Sequence, residues 1–230
     1  MPYSFKPSFG TEWRSGFLLI VAWAVGIYFY RNFPDQVPVH WNLRGEVDGY
    51  GSAVFGAFFL PALMLAIYVL FLFLPVFDPR RERYGEFSAA YHLLKDAVML
   101  FFLLVLLLTG FAGLGYRVDV GFWLPIMVGA LFFVLGLVMR QVKSNWFIGI
   151  RTPWTLSSEM IWNKTHRLAA RAMPVSGALI AGTSFIGGDT LKIALFLVAI
   201  LIIALGLPLY SYVLFRQEKK QPLGRRFFYL

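Results

Sequence analysis

Two polar stretches interrupt an otherwise apolar chain, and the longer one concentrates side chains that could bind a ligand. It runs from Asn145 to Arg171 and contains Arg151, three tryptophans and a histidine. A guanidinium binds phosphate, carboxylate or backbone carbonyl oxygens as a planar fork. Because binding groups concentrate in loops on rigid scaffolds, this stretch is the first candidate for function. The candidate motif residues are Asn145, Gly149, Arg151, Thr152, Pro153, Trp154, Thr155, Trp162, His166 and Arg167.

The same stretch predicts a turn followed by an amphipathic helix. Pro153 lacks a backbone N–H and favours extended backbone at Thr152. Thr155 or Ser157 is placed to cap the helix, and Glu159 suits the positive end of the helix dipole in the first turn.

Trp162 and His166, four residues apart, share one face of this helix. We predict that it lies along the inner membrane surface and leads into the fifth span. A second interpretation stays open, in which Arg151 anchors a lipid headgroup. In that case Trp146, Trp154 and Trp162 are residues of the interfacial belt.

The second polar stretch, Phe33–Gly51, is predicted to be an external loop with a tight turn at Asp48-Gly49. An extended chain turns His40 and Asn42 the same way, and Asp48 could return towards them. These groups could bind a metal or a polar ligand, or His40 could simply bond Asp48. The candidate ligand-binding residues are His40, Asn42, Gly45, Asp48 and Tyr50.

The elements that position both stretches must lie in a membrane. The chain is 59% hydrophobic and only 14% charged, whereas a soluble domain has about 25% charged residues. The net charge of +9 fits loops that face anionic lipid better than it fits nucleic-acid binding. Cysteine is absent, which excludes disulfides and thiolate metal sites. We expect membrane lipid as a partner, no direct contact with nucleic acid, no metal and no cofactor.

Six apolar runs are each close to the ~20 residues that cross the hydrocarbon core. They are Ser15–Tyr30, Ala53–Phe77, Ala97–Tyr116, Gly121–Met139, Ala172–Gly188 and Leu191–Phe215. The fold class predicted is an all-α integral membrane protein with six transmembrane helices, and a short amphipathic helix at Phe87–Lys95 precedes the third. Of the 21 Lys and Arg residues, all but Arg31, Arg44, Arg117 and Lys192 fall on the side that holds both termini. That side is therefore predicted to be cytoplasmic.

The fifth run is rich in small residues, among them Gly177, Ala181 and Gly182. Such residues let helices approach closely in lipid, and they could equally line a substrate path. Lys192 and Asp96 lie only at the ends of runs, so the sequence argues against ion-coupled transport. A neutral conduit stays open.

Both polar stretches resemble a known family. The run Asn145–Glu159, with Trp162 and Thr165-His166-Arg167, is similar to the motif of the SdpI-like bacterial immunity proteins, which protect against a secreted peptide toxin. The first loop, from Pro34 through Asn42 to Ser52, resembles an uncharacterised module that often precedes that motif. Ala53 departs from a lysine common in the module, and Ala169 or Ala170 departs from a glycine common in the motif.

The resemblance implies a bacterial inner-membrane immunity protein that binds or neutralises a membrane-active peptide and could relay to a cytosolic regulator. It also implies two modules, residues 1–77 with the external loop and residues 78–230 with the motif loop 140–171. The alternative is a small-molecule, lipid or peptide transporter or flippase. An enzyme is not expected, because no nucleophile and base share a face: Ser157 and His166 are nine residues apart.

Overall fold

The structure, a computed structural model, describes residues 8–220. Lys6 and residues 221–230 of the basic tail lie outside the described residues. The elements are α1 Phe9–Asn32, β1 Gln36–Trp41, β2 Val47–Ser52, α2 Ala53–Phe77, α3 Ser88–Gly113, α4 Val120–Met139, α5 Pro153–Ser157, α6 Glu159–Gly182, α7 Asp189–Leu201 and α8 Leu207–Lys220. Short 3-10 turns lie at Arg81–Phe87 and Thr183–Phe185, and a π-helical segment, Ile202–Gly206, joins α7 to α8.

The structure is mostly helical and contains several apolar helices of membrane-spanning length, which agrees with the predicted all-α membrane protein. Within residues 8–220, five segments are long and apolar enough to cross a membrane. They are Phe9–Asn32, Ala53–Phe77, Arg81–Gly113, Val120–Met139 and Asp189–Lys219. Helix α6 is not among them, because its first half carries the exposed polar residues Asn163, Lys164, Arg167 and Arg171.

The connections alternate between two ends of the bundle. Ser15 of α1 bonds Asp96 near the start of α3, and Phe29 of α1 packs on Gly110 near the end of α3, so these two helices are parallel. We call the end that holds residues 33–52, 114–119 and 183–190 the hairpin end. The opposite end, with residues 78–87 and 140–158 and the last turns of α8, is the motif end.

Helices α4 and α6 are antiparallel and in backbone contact. A Cβ atom added to Gly129 would collide with the Gly177 carbonyl, and one added to Gly136 would collide with the Pro174 ring. The contact at Gly177 supports the packing interpretation of the small residues. The predicted surface helix and fifth span are one continuous helix, α6, which ends at Gly182, because the buried face of its polar half continues into that of its apolar half.

The segment Phe87–Lys95, predicted as a short amphipathic helix that leads into the third span, is continuous with that span: Phe87 ends a 3-10 turn and α3 begins at Ser88. Lys95 is 1% exposed, and its Nζ donates to Glu12 of α1 at 2.5 Å. A charge that the sequence places at the rim of a span is therefore buried between helices, because α1 begins early enough to supply a carboxylate.

Candidate functional site

The motif loop is folded around a buried amide. The Asn145 side chain is fully buried, and its Oδ1 accepts hydrogen bonds from the backbone N–H groups of Phe147 and Ile148, at 2.9 and 2.6 Å. Its Nδ2 donates to the carbonyls of Lys143 and Ile148. All four contacts are within the loop, so Asn145 sets the shape of the loop and has no spare group for a ligand.

Asp78, at the end of α2, fastens this loop to the rest of the bundle. It is 2% exposed and accepts hydrogen bonds from the Tyr84 hydroxyl and the Trp146 backbone N–H, both at 2.9 Å. Arg80 donates to the Ser144 hydroxyl and, at 2.9 Å, to the Leu156 carbonyl. Sequence reasoning missed both residues, because nothing local distinguishes them from other loop charges.

His166 and Gly149 form the closest contact between loop and helix. The ring of His166 stacks on that of Trp162, with centroids 4.0 Å apart, so the predicted shared face is confirmed. The Ile150 backbone N–H donates to His166 Nε2 at 3.1 Å, which leaves Nδ1 to donate to the Trp162 carbonyl at 2.9 Å. Gly149 has φ +107°, and a Cβ atom there would collide with Nε2. Only glycine lets the loop backbone reach the imidazole.

His166 is held neutral in this arrangement. It is 2% exposed, and burial lowers its pKa to about 4, partly opposed by the hydrogen bond to the Trp162 carbonyl. Both ring nitrogens are occupied by backbone groups. The imidazole therefore acts as a neutral bridge between the loop and α6, with no free nitrogen for a proton transfer.

The predicted helix caps need correction. The helix that Thr155 or Ser157 should begin is two helices, α5 and α6, capped by Thr152 and Ser158. Thr155 instead donates to the Ile150 carbonyl at 2.8 Å and accepts from the Thr152 N–H. Pro153 occupies the first position of α5, where proline is favoured. The short helix α5 then changes the direction of the chain before α6 begins.

The loop also holds α8 in place. The hydroxyls of Thr152 and Ser211 lie 3.0 Å apart, and Ser158 donates to Glu218 at 3.2 Å. The rings of Trp154 and Tyr212 are in tilted contact, with centroids 5.0 Å apart. Trp154 is thus a packing residue between α5 and α8.

The exposed members of the motif are few. Arg151 is exposed and donates to the Trp146 carbonyl at 3.1 Å. Of the three partners predicted for its guanidinium (phosphate, carboxylate and backbone carbonyl), the structure therefore contains the carbonyl. Arg167 points outward on α6. Trp146 is 48% exposed, whereas Trp162 is 1% exposed and donates its indole N–H to the Val142 carbonyl. The interfacial-belt interpretation is therefore wrong for Trp162.

At the other end of the bundle, residues 36–52 form an antiparallel hairpin and not an irregular loop. His40 Nδ1 and Asp48 Oδ1 lie 2.5 Å apart, so the predicted pair is present. Asn42 does not join them: its Oδ1 accepts from the backbone N–H groups of Arg44 and Glu46 and closes the turn. The tight turn is thus at Asn42–Glu46, and the predicted turn at Asp48-Gly49 is wrong.

The hairpin tip rests on the first turns of two helices. Gly45 has φ +82°, and a Cβ atom there would collide with the backbone of Gly121 in α4. The Arg44 Nε lies 3.4 Å from an Asp189 carboxylate oxygen of α7. Tyr50 is 65% exposed. Of the predicted hairpin residues, Asn42 and Gly45 shape the tip, His40 and Asp48 pair, and Tyr50 faces outward.

Two apolar cavities lie beneath the hairpin. The larger, about 320 Å³, is bounded by the hairpin and by α2, α3 and α4. The smaller, about 210 Å³, lies between the hairpin tip, α4 and α7. Trp41, Val120 and Leu124 line both cavities. A signal for them existed in the sequence, since Val37, Val39 and Trp41 alternate with polar residues.

Two segments of the chain match known families. Residues 17–65 match DUF1648, a domain of unknown function, and residues 141–211 match the SdpI/YfhL protein family. The chain is 28% identical over 188 residues to the immunity protein SdpI of Bacillus subtilis (strain 168), with 82% of this chain and 87% of that protein covered. No solved structure matches at a significant level. These matches confirm the resemblance predicted from the two polar stretches.

Proposed function

We propose that this protein is an immunity factor of the bacterial inner membrane that neutralises a membrane-active peptide toxin. The observation that carries the proposal is the similarity to an immunity protein along 82% of the chain. The match to the SdpI/YfhL family covers the motif, and the match to the domain of unknown function covers the hairpin. The apolar cavities beneath the hairpin support binding over catalysis, because bulky apolar groups bind in such spaces.

The proposed topology has six crossings with both termini inside. The exposed face of α6 changes from the basic residues Lys164, Arg167 and Arg171 to Val175 and Ala178, as expected where a helix leaves the headgroup layer. Residues 172–185 then cross beside α4. The motif end carries most of the basic residues, which favours the cytoplasmic side. The boundary between an N-terminal module, residues 1–77, and an immunity module, residues 78–230, stays a prediction.

The proposal is tested by survival. A bacterium sensitive to secreted membrane-active peptides expresses the chain, and a matched strain expresses an unrelated multi-pass protein to the same level. After exposure to each peptide of a panel, we expect higher survival and less membrane depolarisation with the chain for at least one peptide. Equal killing of both strains by every peptide would sink the proposal.

The relay to a cytosolic regulator is a finer part of the same proposal. Its support is continuous packing from the hairpin tip through α4 and α6 to the motif, and the exposure of Arg151 at the motif end. In a protected strain that carries a reporter of the regulator, Arg151→Ala should leave protein accumulation and protection unchanged and abolish the reporter response. An unchanged response refutes the relay.

A further inference from the structure

The place where the toxin binds, and the chemical class of that toxin, can be inferred if the proposed immunity function is correct. We infer that the two cavities divided by Trp41, which we call the hairpin groove, take the apolar face of a cationic amphipathic peptide. The polar hairpin residues His40 and Asp48, singled out from the sequence, then belong to the rim of the groove and not to its floor.

The walls of the groove are mostly apolar, and the ionisable residues that line it are His40 beside the larger cavity and Lys192 beside the smaller one. Val37, Val39 and Trp41 of the hairpin face the larger cavity, and Ile193 and Phe196 of α7 close the smaller one. Thr109 lines the larger cavity, but its hydroxyl already donates to the Val105 carbonyl at 2.9 Å. Buried polar groups of a ligand would thus find few partners on the floor, so apolar side chains fit it best.

The size and division of the groove favour a peptide. The two compartments are about 320 and 210 Å³, with Trp41 between them. Each suits one or two large anchor side chains, and a partly exposed tryptophan at the centre is typical of binding hot spots. A lipid acyl chain would need a single continuous slot.

The charges around the groove select a cationic ligand. The exposed hairpin carboxylates Asp35, Glu46 and Asp48 form no ion pair with lysine or arginine within residues 8–220, whereas Arg44 is occupied by Asp189. Within residues 8–220, the basic residues in or next to the hairpin end are Arg31, Arg44, Arg117 and Lys192, and the other lysines and arginines of this range lie towards the motif end. A cationic peptide is therefore repelled by the motif end and attracted to the hairpin end.

The experiment uses the full chain in nanodiscs of neutral phosphatidylcholine, with a bimane probe on Leu43→Cys, the only cysteine. The ligands are an amphipathic 18-residue peptide of leucine and lysine with one tryptophan, and its counterpart with glutamate in place of lysine. We expect saturable quenching of bimane by the lysine peptide. Binding should be at least about tenfold weaker for the glutamate peptide and for the lysine peptide at high salt.

Two substitutions test the site itself. Leu124→Trp places a larger side chain in the wall that both cavities share, and we expect it to weaken binding at least about tenfold. Leu137→Trp, the same change on the exposed face of α4 far from the hairpin, should not. Trp41→Ala should also weaken binding. Because it removes a side chain from the opposite wall and adds none, its effect cannot come from the crowding that could misfold the Leu124→Trp variant. The double variant Asp35→Asn/Asp48→Asn should weaken binding of the lysine peptide in proportion to the lost charge. Glu82→Gln, which removes a carboxylate at the motif end, should leave this binding unchanged.

Three outcomes overturn the inference. The first is equal binding of both peptides, and the second is binding that Leu124→Trp leaves unchanged. The third is quenching of bimane by brominated acyl chains that persists when the lysine peptide is added, which would show a lipid site. The immunity function is judged separately. If the chain protects cells and the Leu124→Trp variant protects them equally, immunity stands and the hairpin groove is not the binding site.

Discussion

At the scale of single residues, the motif side chains mostly satisfy backbone groups. Asn145 binds four backbone groups on three residues of its own loop, and His166 bridges the Ile150 N–H and the Trp162 carbonyl. Gly149 is there because any side chain would displace the imidazole. The motif is therefore a structural joint, and its exposed guanidinium groups, on Arg151 and Arg167, are the parts that could contact another molecule.

The neutral state of His166 makes stability depend on pH. Its pKa is about 4 in the folded protein and about 6.5 unfolded, so the unfolded state binds the proton more readily. The stabilisation is complete above pH 6.5 and is lost as the pH falls from about 6.5 to about 4. We expect the free energy of unfolding in detergent to fall by roughly 3 kcal/mol over this window.

The measurement is denaturant unfolding followed by circular dichroism at several pH values. His166→Gln keeps an acceptor for the Ile150 N–H and cannot titrate, so this variant should lose that part of the pH dependence while being less stable than the natural chain at pH 7.5. The same slope in both proteins would contradict the assignment.

At the scale of elements, the pair α4 and α6 is the axis of the molecule. Their backbones touch at Gly129 and Gly177, and Gly136 meets the Pro174 ring. In lipid, where apolar side chains gain little from leaving the solvent, such close backbone approach supplies the van der Waals contact that holds helices together. Helix α6 can be poor in apolar residues because one of its faces is covered by α4.

This contact predicts a difference between two glycines. Gly177→Ala pushes α6 away from the Gly129 carbonyl and should cost roughly 1–3 kcal/mol. Gly16→Ala in α1, where nothing lies within 4 Å, should be neutral or stabilising by up to about 1 kcal/mol. Thermal unfolding of both variants in the same detergent checks this, and equal melting temperatures would contradict the close packing of α4 and α6.

At the scale of the whole molecule, the two ends differ in chemistry. The hairpin end offers an apolar groove with a carboxylate rim, and the motif end carries exposed Arg140, Lys143 and Arg151 together with the polar half of α6. In the proposed topology, a toxin that arrives from outside would meet the hairpin first. The motif end would then serve anchoring or the proposed relay.

The topology can be tested directly, because the chain has no cysteine. An impermeant maleimide applied to intact spheroplasts should label Leu43→Cys and Thr190→Cys, and should label Lys143→Cys only after lysis. Thr190 is on the outer side of the membrane, like Leu43, only if α6 crosses the membrane. Protection of Thr190→Cys before lysis would refute the sixth crossing and leave five.

Much of this protein could be read from local sequence. The apolar runs, the shared face of Trp162 and His166, and the pair of His40 with Asp48 depend on composition or on spacings of a few residues. Helical period and hydrocarbon thickness set such features, so the sequence by itself determines them.

Only the tertiary structure decided what the motif is attached to. The bonds from Asp78 to Trp146, from Lys95 to Glu12 and from Thr152 to Ser211 join positions 59 to 83 residues apart. The hairpin groove likewise needs four helices, α2, α3, α4 and α7, to meet the hairpin. No periodicity encodes these meetings, because which distant groups pair depends on how the helices pack. The motif is therefore recognisable in sequence, but the shape that makes it a joint exists only in the packed bundle.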